Sequence, residues 1–287
     1  MLARVLAVLS LVACARPLPP GEGTTDTTMR MRLPTGAWQR EWISRHGGPR
    51  DATVTVRYVQ TPSVFGDVRI PAERAALDGA ASFAELGDDQ LLVLARQNGF
   101  AGYTTIDGAN ATWHHEIDFQ PAGDGADIGR LEWVAEHRMF EHALDDSYVE
   151  AWSTVSRSDD RFLAVRVSRG DRVDQVLSVA GDQFVYAHAR TRALPAASSL
   201  TDAIAATRAT RETIIAFLDC EISYGTIRDW RIEHSTLPWQ QGKRLAFADR
   251  IAVAANGQPV PRDAAAGEAW SISVNTVPAA ELRALFR

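Results

Sequence analysis

The chain is dominated by short segments in which apolar and polar residues alternate with a period of two, the signature of half-buried β-strands. In 53–60, Val54, Val56 and Tyr58 fall on one face and Thr53, Thr55 and Arg57 on the other. A second strand is predicted over 64–70 and ends at Pro71. Segments 103–106 and 112–119 flank Asp107-Gly108, a hairpin-turn dipeptide. Along 112–119, Trp113, His115, Ile117 and Phe119 share one face, and His114, Glu116 and Asp118 the other. Further strands are predicted over 130–134, 138–142, 148–154, 162–167, 172–179 and 183–189, then over 220–224, 230–234, 245–254 and 270–274. Two stretches switch to helical spacing: 82–97, with Leu86, Leu91, Leu94 and Ala95 before Asn98-Gly99, and 201–218, with Ile204, Ile214, Ile215 and Leu218. A short terminal helix over 278–285 begins at a proline.

The two longer helices frame a weak internal repeat. Tyr103-Thr-Thr-Ile106 returns as Tyr224-Gly-Thr-Ile227 at an offset of 121. Trp113, Glu116 and Pro121 return as Trp230, Glu233 and Pro238 at an offset of 117. Each half reads as about three strands, a helix and about four more strands, which predicts two similar β-rich domains meeting near 156–160. Short strands at regular spacing fit a sandwich or a closed barrel, and a barrel leaves no exposed edge.

Composition sets limits on function. The net charge of −6 and the single lysine, Lys243, offer no basic field for nucleic acid. Two cysteines exclude a disulfide scaffold and a four-cysteine zinc site. Arg4 followed by an apolar run to Ala13 reads as a signal peptide over 1–13. Leu11, Ala13 and Cys14 resemble the bacterial lipobox, which implies acylation of Cys14 and a membrane anchor. Ala15 rather than Asp after the cysteine points to the outer membrane, facing the periplasm. The Pro-, Gly- and Thr-rich stretch 14–31 reads as a flexible tether. The alternative is a start at Met29 or Met31, which would leave the protein cytoplasmic. Cys220 reads as a small core residue.

No Walker loop, Gly-x-Ser-x-Gly, His-Glu-x-x-His or Cys-x-x-Cys occurs, so no cofactor, metal site or catalytic residue is assigned. Two polar clusters are candidate ligand-binding residues. His114, Glu116 and Asp118 put an imidazole and two carboxylates on one strand face. Arg57, Asp67 and Arg69 lie on neighbouring strands and would form a charged cluster with a positive surplus, suited to an anionic head group, or else a buried network fixing strand register.

Gly36-Ala37-Trp38 resembles the Gly-x-Trp of lipocalin-like proteins, in which the tryptophan plugs one end of the barrel beneath an arginine. A longer resemblance runs from about Leu33 to Gly242, carried by Tyr58-Val-Gln-Thr-Pro62, Phe65-Gly-Asp-Val-Arg-Ile-Pro71, Asn98-Gly-Phe-Ala-Gly102, Trp113-His-His-Glu-Ile-Asp-Phe-Gln-Pro121, Asp219-Cys-Glu-Ile-Ser223 and Ser235-Thr-Leu-Pro238. These segments resemble a family of bacterial proteins, without an established enzyme activity, related to a budding-yeast protein of two tandem lipocalin-like barrels. The resemblance implies an all-β fold with two accessory helices, built as two tandem lipocalin-like antiparallel β-barrels over 32–156 and 157–287. The expected function is a non-enzymatic envelope lipoprotein holding a small apolar or amphipathic ligand inside a barrel. The alternatives are a protein-interaction module with filled barrels and a metal-dependent or hydrolytic enzyme using His114, Glu116 and Asp118.

Overall fold

The computed structural model describes residues 32–123, 125–155 and 161–286. The signal peptide, the tether, Cys14 and the alternative starts at Met29 and Met31 lie outside the described residues, as does the expected boundary at 156–160. No helix among the described residues is long and apolar enough to cross a membrane.

The first half is a closed antiparallel barrel. Its strands are β1 (Gly36–Arg45), β3 (Val54–Gln60), β4 (Phe65–Pro71), β5 (Asn98–Asp107), β6 (Asn110–Asp118), β7 (Asp127–Ala135), β8 (Arg138–Ala143) and β9 (Tyr148–Thr154). They pair in sequence order, and β9 returns to β1 to close the ring, while the two-residue β2 (Arg50–Asp51) extends one end of β1. Val56 and Tyr58 point inward and Arg57 outward, as the alternation in this segment predicts.

Two bulges beside the candidate site break that alternation, and a third lies on β7 at Val134, between Trp133 facing Met139 and Ala135 facing Arg138. On β1, Arg40 faces Trp152 and Trp42 faces Ala151, so Glu41 is the extra residue. On β6, His115 faces Gly102 and Ile117 faces Ala101, so Glu116 is the extra residue. Gly102 permits this second bulge: a Cβ there would sit 1.9 Å from the His114 carbonyl oxygen. Beyond each bulge the inward set shifts by one, which decides which side chains reach the barrel interior.

The second half forms a six-stranded antiparallel sheet of β10 (Phe162–Arg169), β11 (Arg172–Ala180), β12 (Gln183–His188), β13 (Glu221–Thr226), β14 (Arg231–Ser235) and β17 (Glu268–Asn275), ordered β14-β13-β12-β11-β10-β17. Its edges β14 and β17 do not pair with each other, so the second closed barrel expected from the sequence is not among the pairings of the described residues. The stretch expected to supply a strand over 245–254 is instead a 3-10 turn, Ala246–Arg250, followed by a ribbon of β15 (Ile251–Val253) and β16 (Pro259–Pro261). Pro259 and Pro261 have no N–H to donate, so β16 cannot serve as an interior barrel strand.

The helices are shorter than the spacing predicts. In the first half a 3-10 turn, Phe83–Glu85, and Gly87 precede α1 (Asp88–Leu94). In the second, Arg208 takes a left-handed conformation (φ 47°) that ends α2 (Leu200–Thr207). The Thr210 side chain then caps α3 (Arg211–Leu218) by accepting from the Thr213 N–H. The terminal α4 (Ala279–Leu285) follows Pro278 as expected. Arg211 on α3 joins the helical segments of the two halves, reaching Asp88 at 2.7 Å and donating to the carbonyls of Phe83 and Leu86.

Barrel and sheet pack face to face. The largest core cluster combines outward residues of the barrel, among them Val59, Val68, Ile70 and Phe119, with Val176, Val185, Ile222 and Tyr224 of the sheet. The approach is close enough that a Cβ on Gly66 would lie 2.3 Å from Val185 Cγ1. Ser178 donates across the layers to the Val59 carbonyl at 2.9 Å. The other face of the sheet buries Leu163, Val165, Leu177, Phe184 and Trp230 under α4 and Phe286. Burial on both faces explains the nearly continuous apolar runs of 162–187. Cys220 is a fully buried free cysteine in the shared core, as its sequence context suggests.

Candidate functional site

The barrel is closed at one end by aromatic rings. Trp38 is 1% exposed, donates from Nε1 to the Pro34 carbonyl at 2.9 Å and meets Trp133 edge-on at 5.6 Å. The Arg32 guanidinium lies over the Trp133 ring at 5.2 Å. Trp38 is thus buried at the barrel end where the Gly-x-Trp pattern places a plug, but the nearby arginine, Arg32, lies over Trp133 rather than over Trp38 itself.

Above this plug the interior opens into a cavity of about 950 Å³. Tyr58, Phe100, Trp113, Met139 and Trp152 supply its apolar wall. Residues 120–123 and 125–127, with Ile43, Arg45 and Tyr148, border the rest. Trp113 donates from Nε1 to the Tyr58 hydroxyl at 3.1 Å, which holds both rings in place.

Charged side chains line the same space. Arg69 grips Asp67 through Nε at 2.8 Å and Nη2 at 3.3 Å, and its Nη1 lies 4.0 Å from Glu150. Arg40 pairs with Glu150 through Oε1, leaving the Glu150 Oε2 atom buried without a hydrogen-bond partner. Glu141 accepts from the Tyr148 hydroxyl at 2.9 Å. Burial, then repulsion from Glu150, push the Glu141 carboxyl up to about 8 against the pull of Arg69. The Trp152 Nε1 donor is also buried and unpartnered.

His115 stacks on Phe100 at 4.1 Å and has a carboxylate on each ring nitrogen, Asp118 at 2.6 Å from Nδ1 and Asp127 at 3.1 Å from Nε2. Burial alone would lower its pKa, but hydrogen bonds and charge from the two aspartates outweigh it and hold the imidazolium up to about 9. A ring charged in this way has no free lone pair to act as a base near neutral pH.

Of the six expected site residues, all but Arg57 border the cavity, but their side chains are committed to different partners. Asp67, Arg69 and Asp118 face the cavity. Arg57 does not join them: β3 pairs Tyr58 with Asp67 and Val56 with Arg69, so Arg57 lies on the opposite face, stacked over the Tyr224 ring at 5.7 Å. His114 borders the cavity, but its ring is stacked on Tyr103 at 4.5 Å and hydrogen-bonded to Thr105. Glu116, the bulged residue, pairs with Arg166 of the second sheet at 2.9 Å. The imidazole and carboxylates expected on one face are thus separated, and His115 takes the inward place expected for His114. Sequence reasoning also missed Arg40, Asp127, Glu141 and Glu150. Among the described residues no group of three or more His, Cys, Asp or Glu is arranged to hold a metal ion.

These features define a closed antiparallel β-barrel with an aromatic plug and a charged cavity. No protein-family model, curated protein or solved structure matches the chain.

The two shifted groups predict a pH dependence of one sign. His115 has a folded pKa above its ordinary 6.5, so its contribution is complete below pH 6.5 and lost as pH rises through about 9. Glu141, raised from 4.5 to about 8, becomes progressively destabilising over that lower window. Below pH 6.5 the Glu141 effect is offset by His234, whose pKa burial and nearby arginines lower to about 4, so unfolding free energy should fall between about pH 6.5 and 9. His115→Gln should remove on the order of 2–3 kcal/mol of the decline above pH 6.5. Urea unfolding at several pH values checks this, and equal slopes for wild type and variant would reject the His115 assignment.

Proposed function

We propose that the protein is a non-enzymatic cell-envelope lipoprotein whose barrel binds a small amphipathic molecule. The observation that carries this reading is the cavity of about 950 Å³, which sets an aromatic wall against buried polar atoms lacking partners, Trp152 Nε1 and Glu150 Oε2. A buried donor or acceptor left unpaired costs about 1–3 kcal/mol, so these atoms favour a ligand carrying polar groups of its own. The aromatic and methionine wall would cover the apolar part. The lipocalin-like Gly-x-Trp pattern at Trp38 agrees with the plugged barrel end. An enzyme using His114, Glu116 and Asp118 is less well supported, because these side chains do not converge.

Native mass spectrometry of protein purified from its own source tests the binding reading. A stoichiometric co-purifying small molecule is expected, and it should be lost in Met139→Trp, which fills the cavity from Met139 on its wall. Mass identical to the bare chain, with no uptake from a lipid and metabolite extract, would contradict the reading. The anchor is tested separately. Cys14→Ser should convert a membrane-bound protein into a soluble periplasmic one on fractionation, and a wild-type protein already soluble and beginning at Met29 or Met31 would contradict it.

A further inference from the structure

The charges inside the barrel do not balance, and the imbalance opposes the sequence expectation of a positive cluster. Six carboxylates border the cavity, Asp67, Glu116, Asp118, Asp127, Glu141 and Glu150, of which Glu116 is paired with Arg166 of the second sheet. Against them stand Arg69, His115 and Arg40, each already committed: Arg69 to Asp67, His115 to Asp118 and Asp127, and Arg40 to Glu150. Arg45 lies at the rim, 60% exposed, nearest to Asp51 at 3.9 Å. An anionic head group would have to displace one of these carboxylates before finding a cation. A cation meets Glu150 Oε2, an acceptor in a side chain 3% exposed that no protein donor reaches, with Glu141 on the neighbouring strand.

Resting on the cavity-binding reading above, we infer that the ligand's head group is a protonated amine seated between Glu141 and Glu150, with its apolar part against Trp113, Met139 and Trp152. An ammonium there supplies the hydrogen-bond donor that Glu150 Oε2 lacks. It also relieves the repulsion between two buried carboxylates on adjacent strands, and the aromatic faces nearby add attraction for a cation. Ligand binding and Glu141 ionisation are then linked. The groups facing Glu141 are Asp67 and Arg69 from β4, Asp127 from β7, Tyr148 and Glu150 from β9, and Arg40 from β1. Of these, Glu150 and Asp127 raise its pKa and Arg69 lowers it. An ammonium beside Glu141 would draw off its proton, so amine affinity should rise with pH through the region of 8. An alkylamine stays protonated throughout that region, its pKa resembling the ~10.4 of lysine.

Isothermal titration of the full chain with n-octylamine, n-octanol and sodium octanoate tests the inference. At pH 7 octylamine should bind about tenfold or more tighter than octanol, with octanoate weakest. Its affinity should rise between pH 6.5 and 8.5 while that of octanol stays flat. Glu141→Gln keeps an amide oxygen for Tyr148, and should lower octylamine affinity about tenfold, abolish the pH rise and leave octanol binding unchanged. Octanol or octanoate binding as tightly as octylamine would overturn the amine head group while leaving the cavity reading intact. Octylamine binding unaffected by both Glu141→Gln and Glu150→Gln would overturn the proposed seat. Failure of all three probes to bind would overturn the cavity reading, and the amine with it.

Discussion

Replacing Trp38 by alanine should cost about 3–5 kcal/mol of stability, the range for truncating a large buried aromatic. The ring is 1% exposed and touches residues from several barrel strands. Its Nε1 ties the incoming chain to the barrel through the Pro34 carbonyl, and its edge supports Trp133 beneath Arg32. Alanine removes the hydrogen bond and leaves a void where the barrel closes, between rings too constrained to collapse into it. The void would join the existing cavity, so the variant should admit longer ligands as well as unfold sooner. Trp38→Phe should lie between wild type and Trp38→Ala. Urea unfolding measures the loss, and a cost below about 1 kcal/mol would show that Trp38 does not plug the barrel.

Arg69→Met should cost a similar amount, about 3–5 kcal/mol at pH 7, because it leaves a buried carboxylate without its cation. Asp67 is 1% exposed, whereas Arg69 retains 24% exposure toward the cavity. Burial raises the Asp67 pKa and Arg69 opposes that rise, so without the arginine the carboxyl moves further up. A carboxyl with a raised folded pKa destabilises above its unfolded pKa and ceases to do so once protonated. The cost of Arg69→Met should therefore shrink as pH falls from 7 toward 4. Adding Asp67→Asn should restore part of the loss at pH 7. A cost independent of pH and not relieved by Asp67→Asn would mean that the arginine acts through packing of its stem rather than through the ion pair.

The strand framework was legible because alternation with β-branched residues survives in single segments such as 53–60, whose observed faces match the pattern. The hairpin at Asp107-Gly108 was equally plain, since Gly108 adopts the positive φ (58°) that such a turn favours. The site was less legible, and the two bulges are the main reason. Nothing at Glu41 or Glu116 marks an extra residue, because the glycine that permits the β6 bulge, Gly102, sits on the partner strand. His115 is inward by plain alternation with Trp113, and the one extra residue, Glu116, brings Asp118 inward beside it.

Glu141 and Glu150 did leave a trace. Each shares a strand face with large apolar residues, Met139 beside Glu141 and Trp152 beside Glu150. A carboxylate on the core-facing side of a strand is the pattern to look for, since a buried charge persists only when paired or used. The open edge of the second sheet was foreshadowed by Pro259 and Pro261, which alternation alone does not register.

The central claim is that the barrel interior is the ligand site. It is tested most directly by diffraction from crystals soaked in 8-bromooctylamine, recorded at the bromine absorption edge. The account predicts a bromine peak inside the barrel near Trp113, Met139 and Trp152, with the amine toward Glu141 and Glu150. A barrel without bromine beside an occupied second cavity, the one of about 440 Å³ lined by Phe83, Leu237 and Trp239, would contradict it.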